Sequence, residues 1–157
     1  MKETNVDYKD CSRREFLRRS TAGTGTIILG SIWLEACADS PNEPASTGAT
    51  ISIDTKLSQY SALAQIGGTL ALNENDLPDI PSYGLLIIRE AEESVRALSR
   101  RCPHKSCIVQ PFANEIANCD CHGSQFDKEG KVLKGPASAS LFAYNASIED
   151  GIISISV

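Results

Sequence analysis

Hydrophobic positions along the chain fall into short runs, and none keeps a 3.6-residue spacing long enough to mark an amphipathic helix. Ile51 and Ile53 alternate with polar neighbours, which predicts a strand with one buried face. Gly67-Gly68 punctuates the chain before Thr69-Leu70-Ala71-Leu72, and Pro78 and Pro81 mark a loop. Leu85-Leu86-Ile87-Ile88 and Val95-Arg96-Ala97-Leu98 then predict two strands across a turn at Glu90–Glu93. Phe126-Asp127, with Gly130 and Val132, predicts a hairpin. Ile152, Ile153, Ile155 and Val157 predict a final strand after the turn Glu149-Asp150-Gly151. Short strands separated by Gly and Pro turns point to an all-β fold, an antiparallel sandwich or small barrel that begins near Ile51.

The front of the chain has a different pattern. Ser12-Arg13-Arg14-Glu15-Phe16-Leu17-Arg18-Arg19 precedes a Gly/Thr-rich apolar run from Thr21 to Leu34. A basic segment ahead of a modest apolar one predicts an export signal, and SRREFLR resembles the twin-arginine consensus, the address of a route that carries folded proteins. Leu34-Glu35-Ala36-Cys37-Ala38 resembles a bacterial lipobox with Cys37 as the lipidated residue; the other reading of Cys37 is an unpaired thiol near an ordinary cleavage site. An uncleaved anchor is the further alternative. A span needs roughly 20 predominantly apolar residues, and this run is shorter and diluted by Thr21, Thr24, Thr26 and Ser31. Residues 38–49, rich in Ser, Pro, Asn, Gly and Thr, read as a flexible linker. The expected organisation is a signal segment over 1–37, a linker over 38–49 and one globular domain over 50–157. The expected location is extracytoplasmic, on the periplasmic side of the cytoplasmic membrane, with association through a lipid or an N-terminal anchor.

A length of 157 residues fits one ordinary domain and leaves no room for a second large catalytic one. The formal charge of −5 gives no electrostatic footing for nucleic acid, which demands a basic face. The charge is uneven: residues 1–37 hold six Lys/Arg against five Asp/Glu, and residues 38–157 hold nine against fifteen, so the domain behind the signal is the acidic part.

The chemistry is concentrated in Cys102-Pro103-His104-Lys105-Ser106-Cys107 and Cys119-Asp120-Cys121-His122-Gly123-Ser124, which hold four of the six cysteines and both histidines. Two thiolates and two imidazoles come within reach of one inorganic centre, and two irons, each taking a pair of like ligands, fit that donor set. Tetrahedral zinc is the rival for two Cys and two His, although structural zinc favours CxxC and HxxxH spacings. No histidine remains outside this set for general-base work, so the chain reads as an electron-transfer protein rather than an enzyme in its own right.

The two segments resemble the cluster loops of the Rieske [2Fe–2S] family, whose pattern CxHxGC followed by CxCHGS is matched except at Ser106. The resemblance implies a [2Fe–2S] cluster with Cys102 and Cys119 on one iron and His104 and His122 on the other. It implies a disulfide between Cys107 and Cys121, as in the high-potential branch. It also implies an antiparallel β base carrying a small cluster-binding subdomain over about residues 100–140. In high-potential relatives a Ser two residues after the last His donates to a bridging sulfide, and a Tyr two residues further donates to a cysteine sulfur. Here Ser124 keeps the first donor and Phe126 lacks the second, which lowers the expected potential. Gly135-Pro136-Ala137 resembles the Pro loop that covers the cluster. Respiratory Rieske subunits carry Leu where this chain has Lys105, a costly residue to bury in an apolar quinol pocket. Three electron-transfer settings follow: a lipid-tethered or soluble periplasmic carrier between redox proteins, the Rieske subunit of a quinol-oxidising cytochrome bc-type complex, or the small subunit of a periplasmic molybdenum oxidoreductase resembling arsenite oxidase.

Overall fold

The computed structural model describes residues 48–157. The signal, lipobox and anchor readings, Cys37 and nearly all of the linker lie outside the described residues. Within them the chain is β-structure: β1 (Thr50–Asp54), β2 (Thr69–Leu72), β3 (Leu85–Ala91), β4 (Ser94–Ser99), β5 (Ala117–Cys119), β6 (Ser124–Phe126), β7 (Val132–Lys134), β8 (Ala143–Glu149) and β9 (Ile152–Ser156). All pairings are antiparallel, giving a six-stranded sheet in the order β1-β9-β8-β4-β3-β2 and a three-stranded sheet in the order β5-β6-β7. Among the described residues no helix is long and apolar enough to cross a membrane.

The expected strands form, with adjusted edges. The turn placed at Glu90–Glu93 tightens to Glu92 and Glu93, because β3 runs on to Ala91 with a bulge between Arg89 and Ala91. Three elements had no sequence signal, one of them β5, whose three residues are too few to show an alternation. A 3-10 helix over Ser58–Ala64 buries only Tyr60 and Leu63, too few positions to set a period. Strand β8 reads AYNASIE, and its polar residues conceal the alternation that turns Tyr144 and Ile148 inward.

The run LLII in β3 explains how the base carries the site. Alternate side chains of a strand point to opposite faces, and here both faces are covered. Leu85 and Ile87 join Ile51, Ile53, Leu63, Ile153 and Ile155 in one core. Leu86 and Ile88 join Leu98, Cys102, Val109, Ala117, Cys119 and Phe126 in a second. A strand buried on both sides reads as a continuous apolar run instead of an alternating one. The second core therefore packs the cysteine segments directly onto the back of β3 and β4.

Arg100 fixes the first of those segments to the base. Its residue is 6% exposed, and its Nε donates to the Val109 carbonyl at 2.9 Å while Nη1 donates to Asn73 Oδ1 at 2.8 Å. Backbone bonds from Arg100 N to Gly84 O and from Val109 N to Arg100 O close the neck of the loop. Burial lowers the guanidinium pKa, and Asp76 partly opposes the shift. The outgoing side is closed by Gly130, with φ of +79°, where a Cβ would press to 3.2 Å from the Leu98 side chain.

Two substitutions separate the cores. Leu85→Ala and Leu86→Ala should each cost about 2–5 kcal/mol in chemical denaturation, but loss of the visible absorption of the iron–sulfur centre that the resemblance implies should run ahead of global unfolding only in Leu86→Ala. Arg100→Ala leaves buried acceptors unpaired and should cost on the order of 1–3 kcal/mol by the same measurement.

Candidate metal centre

Three short loops converge on the outer end of the second core. The first is a hairpin closed by Cys102 N to Cys107 O and Ser106 N to Cys102 O, each 2.8 Å, with an antiparallel bridge between Arg101 and Ile108 below it. The second links β5 to β6 and is tightened by Gly123 N to Cys119 O at 2.9 Å, with Gly123 at φ +79°. The third follows β7: Gly135 and Pro136 are exposed, the peptide between them is cis, and buried Ala137 donates its N–H to Ser124 Oγ at 3.0 Å. That bond ties the third loop to the second.

A disulfide between Cys107 and Cys121, with Cα atoms 6.5 Å apart, ties the first loop to the second. The pairing is the one expected. Cys107, Cys119 and Cys121 place their sulfurs within 4.8 Å of one another, so the bridge sits against Cys119. With Cys107 and Cys121 spent on each other, Cys102 and Cys119 are the free thiols among the described residues, both buried.

The remaining donors form two like pairs. The Cys119 thiol is pushed up to about 11, first by burial, then by a hydrogen bond with Cys102 and the charge that a Cys102 thiolate would carry; the Cys121 backbone N–H, donating to the sulfur, works the other way. The Cys119 sulfur therefore holds its proton beside Cys102, and a cationic centre at that sulfur would reverse the balance. The imidazoles of His104 and His122 meet edge to face with centroids 4.7 Å apart. His104 Nδ1 is buried and has no hydrogen-bond partner among the described residues, which is the condition of a ring nitrogen that serves a metal. His104 is half-buried and His122 exposed. Two buried thiols and two facing imidazoles, one of each on each of two loops joined by the disulfide and one ring with an orphaned nitrogen, fit a centre of two irons with two donors each.

The surrounding residues also have defined places. Ser124 is fully buried, and because its Oγ accepts from Ala137, its own O–H is left to donate elsewhere. Phe126 is fully buried in the second core with Cys102 and Cys119. Ser106 stands at φ +55°, the left-handed region that explains why relatives have Gly there. Its Oγ accepts from Arg101 Nε at 3.0 Å, and the Arg101 guanidinium lies 5.5 Å from the Tyr83 ring centre. Sequence reasoning missed Arg100, Arg101 and Tyr83. The one available signal was Arg100 itself, two positions after inward-facing Leu98 on β4, where a strand's alternation places it inside.

Residues 65–145 match the model of the Rieske [2Fe-2S] domain. The cytochrome b6-f complex iron-sulfur subunit of Prochlorococcus marinus (strain NATL1A) is 31% identical, with 98% of this chain and 89% of that protein aligned. The subunit of the same name from Synechococcus sp. (strain CC9605) is 32% identical over 98% and 89%. Among solved structures, the plasma membrane Rieske protein of Synechocystis PCC 6803 is 29% identical with a TM-score of 0.47, covering 57% of this chain and 87% of that one. With more than half its length matched by the domain model and both cluster segments in place, the chain belongs to the Rieske [2Fe–2S] family and works by electron transfer through a Rieske cluster.

Proposed function

We propose that Cys102 and Cys119 hold one iron of the cluster and His104 and His122 the other, and that the protein passes single electrons outside the cytoplasm. The observation that carries this reading is that each of two loops joined by the Cys107–Cys121 disulfide holds one buried thiol and one of two facing imidazoles. A disulfide suits an oxidising compartment, which supports the twin-arginine and lipid-anchor readings of residues 1–37 and Cys37.

Bound in this set, the cluster supplies a one-electron couple, and two neutral imidazoles in place of thiolates raise Rieske potentials to about −150 to +300 mV. The chain's own residues do the rest. Leu86, Ile88, Leu98 and Phe126 exclude water from the cysteine side. Ser124 offers its hydroxyl proton, and the Cys121 N–H donates to the Cys119 sulfur. Exposed His122 gives the electron its way out.

The setting has two supported readings. Relatives named as cytochrome b6-f subunits, aligned over 89% of their length, favour membership of a quinol-oxidising complex. Exposed Lys105 beside His104 favours a carrier that meets another redox protein. Co-purification with membrane cytochromes and quinol-dependent reduction would mark the first; a protein that takes no electron from quinol would mark the second.

Purified protein should contain iron and acid-labile sulfide, and its dithionite-reduced form should give the EPR signal of a mixed-ligand [2Fe–2S] centre. Colourless protein carrying zinc without iron would overturn the assignment. Potentiometric titration of Phe126→Tyr should give a higher midpoint than the parent, because a hydroxyl at that position adds a donor near the cysteine sulfurs. An unchanged or lower midpoint counts against that role.

A further inference from the structure

The two halves of the domain differ in charge. Residues 100–140 hold six Lys/Arg against four Asp/Glu, whereas the rest of 50–157 holds three against nine. The cluster-bearing part is therefore net positive on a strongly negative base. Two ion pairs occur among the described residues, Arg96 with Glu90 on the base and Lys128 with Glu115 near the site. Neither involves Lys105, Lys131 or Lys134, all exposed.

Three loops make the tip, and each is fixed to the next by the Cys107–Cys121 disulfide or by the Ala137 to Ser124 bond. Lys105 lies on the first with Arg101 in the bridge at its base, Asp120 lies on the second, and Lys134 leads into the third. That balance is +2, and the extra electron of a reduced centre lowers it by one and leaves it positive. Arg101 is held in place by Ser106 Oγ and the Tyr83 ring. Lys105, next to His104, makes no ion pair among the described residues, and Ile108, 49% exposed, adds an apolar contact beside its bridge partner Arg101.

We propose that this tip is a docking surface for an acidic redox protein, with Arg101, Lys105 and Lys134 as its recognition charges and Ile108 as its apolar centre. The proposal rests on His104 and His122 being ligands, which makes the tip the electron's exit. An acidic partner is drawn to this end and repelled by the base, so encounter and orientation are set together. One electron then leaves the reduced protein for the oxidised partner, with no proton or bond exchanged at the contact. A lipid surface lacks that fit: an anionic membrane would attract the tip too, but it accepts no electron.

Stopped-flow oxidation of the reduced protein by an acidic plastocyanin and by basic horse-heart cytochrome c, across ionic strength, tests this. Net charge alone predicts that the acidic acceptor reacts faster as salt is added. The tip predicts that it reacts more slowly. The double variant Lys105→Glu/Lys134→Glu should lose tenfold or more of the low-salt rate with plastocyanin, while Lys56→Glu on the base should not. Midpoint potentials measured for each variant account for driving force. A rate with plastocyanin that rises with salt, or is indifferent to the double variant, overturns the proposal. So does binding to phosphatidylglycerol vesicles that is lost in the double variant without any change in the plastocyanin rate. A parent protein lacking the Rieske EPR signal would instead refute the ligand reading; an intact signal with the wrong salt dependence refutes only the docking surface.

Discussion

A strand whose first four residues have no solvent face holds this domain together. Because β3 gives Leu85 and Ile87 to one core and Leu86 and Ile88 to the other, the base and the cluster-bearing loops share a wall. Short loops rich in polar backbone groups have little core of their own, and three-residue strands such as β5, β6 and β7 are marginal without a packed face. The second core lends them β3 and β4. Cys102 and Cys119 belong to that same core, so both free thiols are positioned by hydrophobic packing before any coordination chemistry is considered.

Covalent and polar ties then limit what the loops can do. The Cys107–Cys121 bridge joins the two loops that carry the cysteines and histidines, Arg100 locks the first to the base, and Ser124 joins the second to the loop after β7. A buried guanidinium is costly unless its donors are satisfied, and Arg100 finds carbonyl and amide oxygens on two separate segments, Leu72–Asn73 and Val109. Electron transfer rewards such rigidity, since a centre whose surroundings stay put on reduction has less to rearrange.

Much of this was legible in the sequence, for identifiable reasons. Two segments with tightly spaced cysteines and histidines declared the site, since those residue types at that spacing have few other uses, and alternating or continuous apolar runs declared β1, β3, β4 and β9. Strand β8 and the 3-10 helix were hidden because each buries only two large side chains. Arg100 was hidden because its role depends on carbonyls at Val109 and Leu72, which no local pattern brings together. Ser106 looked like a departure from the family. Its left-handed backbone shows that the loop shape is kept, and its hydroxyl holds Arg101, so the exchange of Gly for Ser recruits a cation to the rim.

The separation of charge between base and tip has a practical side. A domain that is net positive over residues 100–140 and net negative over the rest of 50–157 has a preferred way to lie on any charged solid. On an amine-coated electrode it would settle base down, its redox centre facing the liquid and poorly wired to the metal; on a carboxylate-coated one it would turn over and put His122 against the surface. The same preparation would look electrochemically silent on one support and active on the other.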